Sequence, residues 1–198
     1  MSGETIVALS TPPGGSALAV VRISGERAVE IARNMAPRST EWEPRTTHNT
    51  TLINRDGELL DDAVAVIYRA PRSYTGEDML EIFCHGSMQV AGRIIEEAIS
   101  LGARTAGPGE FTRRAFLEGR IDLSQAEAVA DLISSETRLQ ARVALESLEG
   151  GLSREVGRVE EILLERLADV EASLDISEAE EVVAGFQGLR EGAEEARG

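Results

Sequence analysis

The 198-residue sequence contains no lysine: all 20 basic residues are arginine, set against 35 Asp and Glu. That absence excludes a Schiff base, a P-loop lysine and a lysine general base. The single cysteine, Cys84, can form neither an internal disulfide nor a thiolate-rich metal site, and no metal-ligand set is expected. Long hydrophobic runs are missing too. The longest, Ala63 to Tyr68, has six residues, against the ~20 that span a bilayer. Met1-Ser2-Gly3-Glu4 carries no basic stretch ahead of an apolar core, so no secretory signal is read there. The expected compartment is the cytoplasm, with no membrane partner.

The length allows one large domain or two small ones. The formal net charge is −15 and it is unevenly spread. Residues 146–198 hold 15 acids and 5 arginines, whereas residues 1–145 hold 20 and 15. A field of that sign repels phosphate backbones, so no broad nucleic-acid footprint is expected, although a local arginine patch could still touch RNA.

The first 120 residues read as mixed α and β. Thr5–Leu9 and Ala17–Ile23 are strand-like runs flanking the turn-rich Ser10–Ser16. Ser24-Gly25 is expected to open a helix in which Ala28, Val29, Ile31 and Ala32 share a face. The Asp56-Gly57 turn signal lies between strand candidates at Thr50–Asn54 and Asp61–Tyr68, and Leu80–Phe83 is a further short strand. Val90, Ala91, Ile94, Ile95, Ala98 and Ile99 then recur at helical spacing, with Gly102 as the stop. These hairpin signals argue against a purely parallel sheet. From about Asp122 the pattern turns helical. Leu152, Val156, Val159, Leu163, Leu167, Val170 and Leu174 form one apolar stripe that needs a partner, and Gly150-Gly151 is expected to break the helix before it. The boundary is placed near residue 120.

Three segments carry the strongest signal. The first is Thr11-Pro12-Pro13-Gly14 followed by Ala19-Val20-Val21-Arg22-Ile23-Ser24-Gly25. The second is Ser73-Tyr74-Thr75-Gly76-Glu77-Asp78-Met79-Leu80-Glu81, ending at Cys84-His85-Gly86. The third runs from Pro108-Gly109-Glu110-Phe111 through Gly119-Arg120-Ile121-Asp122-Leu123 to Ile133. In order and spacing they resemble the N-terminal folate-binding domain and first helices of the MnmE (TrmE) family of tRNA-modification GTPases, over roughly residues 4 to 175.

The resemblance implies an α+β chain: a folate-binding-type mixed α/β domain over residues 1–120, which also dimerises, and an all-α helical module over residues 121–198. It further implies a 5-formyltetrahydrofolate-type one-carbon donor held by Arg22, Glu81 and Arg120, the last where the family commonly has lysine. The implied partners are a second copy of the chain, the FAD-dependent MnmG (GidA) protein, and tRNA modified at C5 of its wobble uridine. GTP, with potassium and magnesium, would belong to a GTPase domain. No G-x-x-x-x-G-K-[ST] motif occurs in this sequence, so the chain is expected to represent only the front portion of such a protein, with no catalytic residue of its own assigned.

The chemistry of the three positions is consistent with that ligand. A carboxylate such as Glu81 can accept from the amino group and ring N–H of a reduced pterin. Arginine offers a planar fork to carbonyl, formyl or glutamyl-carboxylate oxygens. Taken on residue types alone, Arg22 and Glu81 read sooner as an ion pair between strands than as ligand contacts. Cys84-His85 could be a nucleophile with its base, but neighbours on a strand point to opposite faces, which favours a buried cysteine beside a loop histidine. Glu110 suits the first turn of a helix as well as a ligand contact. Ser87, where the resembled family usually has a second glycine after the histidine, is placed at the pocket edge. Two other classes stay open: a stand-alone folate-dependent transferase, with Glu110, Asp122 or His85 as its acid or base, and a non-catalytic assembly module that docks through the 152–174 stripe.

Overall fold

The computed structural model describes residues 3–37, 39, 41–168 and 170–171. The β-branched and apolar runs of the first domain form β1 (Ile6–Leu9), β2 (Leu18–Ser24), β3 (Thr47–Ile53), β4 (Leu59–Tyr68), β5 (Met79–His85) and β6 (Arg104–Thr105). They join in one six-stranded sheet of order β3-β4-β5-β2-β1-β6. Every pairing is antiparallel except β1 with β6, so the sheet is mixed and the fold is α+β.

Two helices cover one face of this sheet, α1 (Ala28–Met35) and α2 (Met88–Ser100). Strand alternation sends Val21, Ile23, Ala65, Ile67, Leu80 and Ile82 to that side. They meet Ile31 and Met35 of α1 and Ala91 and Ile94 of α2 in a single core. Fully burying an Ile or Leu is worth ~1.5–3 kcal/mol, which makes this layer the main source of the domain's stability. The opposite face carries Arg22 on β2, Val66 and Tyr68 on β4, and Glu81 on β5, and it positions the candidate site.

Two local details differ from the expectations. Ser24-Gly25 does not open a helix. Ser24 closes β2 and its hydroxyl is held by Thr75 and Glu77, so α1 begins only at Ala28. Gly25 has φ +130 and lies so close to Thr5 that a Cβ would come 2.7 Å from its Cα, a position only glycine fills. The second difference is at β3, which starts at Thr47 rather than Thr50 because its pairing with β4 continues to Val66.

Beyond the sheet come α3 (Glu110–Leu117), α4 (Leu123–Ser134) and α5 (Arg138–Leu148), and residues 151–168 are helical again. Helices α4 and α5 each start with a complete capping box, Asp122 with Gln125 and Thr137 with Gln140. Gly150, at φ +76, turns the chain between α5 and the next helix. That helix is tied back to the start of α4 by Ser153, which donates to Asp122, and the end of α5 is tied there by Gln125, which donates to the Leu148 carbonyl at 2.8 Å. The stripe residues Leu152, Val156, Val159, Leu163, Leu167 and Val170 are each more than half exposed; Leu174 lies outside the described residues. Among the described residues no helix is long and apolar enough to cross a membrane.

Candidate functional site

Antiparallel pairing of β2 with β5 sets Arg22 directly opposite Glu81. Both side chains project to the face away from α1 and α2. The Arg22 Nε and Nη2 atoms donate to Glu81 Oε1 at 2.9 and 2.7 Å. Tyr68, on the other neighbour of β5, donates its hydroxyl to Glu81 Oε2 at 3.2 Å. Glu81 is only 9% exposed, so its charge depends on these partners. Burial, followed by the Glu81 charge, pushes the Tyr68 hydroxyl above its ordinary pKa, which keeps it a donor. The Arg22 guanidinium also lies 5.1 Å from the Tyr74 ring centre and 5.5 Å from that of Phe111, both within cation–π range.

Those two rings come from different segments that a chain of charges holds together. Tyr74 bonds Thr112 of α3 at 2.9 Å. Arg114 of α3 donates to both Glu77 oxygens at 3.0 and 2.9 Å, and also reaches Glu110. Arg104 of β6 grips Glu110 with two bonds of 2.8 and 2.6 Å, and the Gly107 amide adds a third partner. The Arg104 bonds chiefly hold the Glu110 pKa down to about 2. Glu110 is therefore an ion-pair hub that fixes the start of α3.

Two cavities flank Tyr74. One, of about 320 Å³, has Glu81, Tyr68 and Tyr74 among its walls together with Arg45, Arg72 and Arg120. The other, of about 630 Å³, takes in Arg22, Tyr74 and Phe111, the Gly107–Gly109 turn, and Val129 and Ile133 of α4. Of the three positions expected to hold a ligand, Arg22 and Glu81 are in contact, and Arg120 shares a cavity with Glu81. Tyr68, Tyr74 and Phe111 were not singled out from the sequence. Tyr68 could have been, by alternation with Val66 on β4, but only once the strand pairing was known.

The remaining candidates lie elsewhere. Cys84 points into the core, 1% exposed, and burial, then Asp61, raises its thiol pKa. His85 points the other way and bonds Asp61 through Nδ1 at 2.7 Å, so the two do not form a nucleophile–base pair. Asp122 caps α4, and Ser87 occupies the N-cap position of α2. Among the described residues no cluster of three His, Cys, Asp or Glu side chains could hold a metal.

An antiparallel-rich sheet with a carboxylate–arginine pair between two cavities, followed by a helical module, defines an α+β sheet domain joined to helices. The sequence comparisons make this specific. Residues 5–120 match the family model of the GTP-binding protein TrmE N-terminus, and residues 123–196 match that of the MnmE helical domain. The chain belongs to the MnmE (TrmE) family. It is 47% identical over 175 residues to the tRNA modification GTPase MnmE of Aquifex aeolicus, covering 88% of this chain and 39% of that protein. The MnmE of Wolinella succinogenes is 50% identical over 175 residues, with 88% and 38% coverage. That of Geobacillus kaustophilus is 43% identical over 202 residues, with 98% and 44% coverage. The chain thus spans about two fifths of the length of the relatives it matches.

Proposed function

We propose that this chain is the folate-binding and dimerising part of a tRNA wobble-uridine modification GTPase, with residues 1–120 binding the ligand and residues 121–198 forming the first part of the helical domain. The ligand is a 5-formyltetrahydrofolate-type one-carbon donor, which supplies the one-carbon unit when bound. The observation that carries this reading is the nearly buried Glu81 carboxylate, oriented by Arg22 and Tyr68 beside a cavity whose other charged walls are arginines. A carboxylate on the floor suits the N–H donors of a reduced pterin, and arginines suit its carboxylates. The residues present fit the group. Arg22 orients the Glu81 carboxylate, and its guanidinium rests against the Tyr74 and Phe111 rings. GTP hydrolysis is assigned to no residue of this chain. The complex with the FAD-dependent MnmG protein, the tRNA substrate and a cytoplasmic location belong to the whole protein as part of the same proposal.

The test is saturable binding of 5-formyltetrahydrofolate, followed by calorimetry in Arg22→Ala and Glu81→Ala. Each substitution should weaken binding by roughly 1–3 kcal/mol, the cost of a charged partner left unpaired. Unchanged affinity in both folded variants rejects the site. The exposed stripe at 152–170 favours a second reading, an assembly module. In that case deleting the residues after 150 abolishes association and leaves folate binding intact.

A further inference from the structure

The arginines around the candidate site divide into two groups. Arg22, Arg69, Arg104 and Arg114 each face a carboxylate at 3.0 Å or less. Among the described residues Arg45, Arg72 and Arg120 make no ion pair, and all three border the same cavity of about 320 Å³. In a chain of net charge −15, three unpaired guanidinium groups around one opening stand out against the general field. They come from separate segments: Arg45 before β3, Arg72 between β4 and β5, and Arg120 after α3. All three are exposed, whereas Glu81 in the same cavity is buried. The carboxylate is therefore the floor and the arginines are the rim.

Two details indicate that Arg45 is held there rather than left over. Its backbone has φ 64, an uncommon conformation for a residue with a side chain. Its amide donates to the Ile67 carbonyl at 2.7 Å, next to Tyr68.

Building on the folate-binding reading, we propose that Arg45, Arg72 and Arg120 form an anion cradle for the γ-glutamyl tail of the folate, and that the chain selects polyglutamylated over monoglutamylated forms. A ligand whose pterin end reaches Glu81 leaves the cavity tail-first across this rim. Each added glutamate brings one more carboxylate within reach of a guanidinium fork. Free phosphate would satisfy the same chemistry, and competition separates the two.

The experiment measures binding of mono- and pentaglutamyl 5-formyltetrahydrofolate to the full chain by calorimetry at low and high salt. The variants are Arg72→Gln and Arg45→Asn, asparagine being a residue that tolerates positive φ, with thermal melts as the folding control. Wild type should prefer the pentaglutamate by about 10-fold, and the preference should shrink with salt, since exposed pairs are screened. The double variant should lose most of that preference, its pentaglutamate affinity falling much further than its monoglutamate affinity. Equal binding of both forms by wild type overturns the cradle and leaves the folate site standing. Binding of neither form by folded protein overturns the folate site and the cradle with it. Inorganic phosphate competing as well as the free pentaglutamate peptide overturns the assignment to the tail.

Discussion

At Glu81 the hydrogen-bonding capacity of one carboxylate decides how a ligand can bind. An ionised carboxylate has about four acceptor positions, and Arg22 and Tyr68 already make three bonds to it. A two-pronged donor must therefore displace one of these. The ion pair and the ligand contact, which residue types alone left as alternatives, are compatible as successive partners of the same group. Removing only Arg22 strands a nearly buried charge, so Arg22→Ala should destabilise the fold by roughly 1–3 kcal/mol. The Arg22→Ala/Glu81→Ala double variant should recover part of that loss in a urea double-mutant cycle. Strict additivity would show that the pair is not coupled. Glu110 gives a pH prediction. Its folded pKa of about 2 lies below the ordinary 4.5, so its stabilising effect is complete above pH 4.5 and is lost as pH falls towards 2. Urea midpoints should drop over that window, and Glu110→Gln should flatten the drop. Arg22, Glu81 and Arg120 were legible as residues of interest. Their contacts were not, because the Arg22–Glu81 pairing joins positions 59 apart in sequence and needs the strand register. Arg45 and Arg72, in loops without periodicity, gave no signal at all.

Among the elements, those with a strong local pattern were legible and those set by tertiary contact were not. The spacing of Val90 to Ile99 and the Gly102 stop locate α2, and Asp56-Gly57 locates the β3–β4 turn, closed by Asn54 and Glu58 at 3.0 Å. The start of α1 was misread because Ser24 is claimed by Thr75 and Glu77 from across the fold, a demand that outweighs its preference for a helix start. Gly86 makes a different kind of contact. It exchanges backbone hydrogen bonds with Ser16 and Ala17, and a Cβ there would overlap the Ser16 carbonyl. Gly86→Ala should therefore cost roughly 1–3 kcal/mol in chemical denaturation, as an overpacked site does. A wild-type midpoint would mean that the Thr11–Ser16 loop shifts freely. At α5, Thr137→Ala removes half of a capping box and should lower stability by about 1 kcal/mol.

On the scale of the whole molecule, the chain combines a well-packed sheet domain with a helix whose apolar stripe is more than half exposed. The stripe was legible from spacing alone, but what covers it was not, since periodicity records only that a face must be buried. The lack of lysine also has a consequence at this scale. Every positive charge is an arginine fork, including those at the mouth of the Glu81 cavity, where planar carboxylates suit it best. The proposed function requires that cavity to bind a reduced folate. The most direct measurement is a calorimetric titration of the folded wild-type chain with 5-formyltetrahydrofolate, repeated with Glu81→Gln. Saturable binding by wild type, weakened at least about 10-fold in the variant, is the predicted result. A flat titration of folded wild-type protein at millimolar ligand would contradict it.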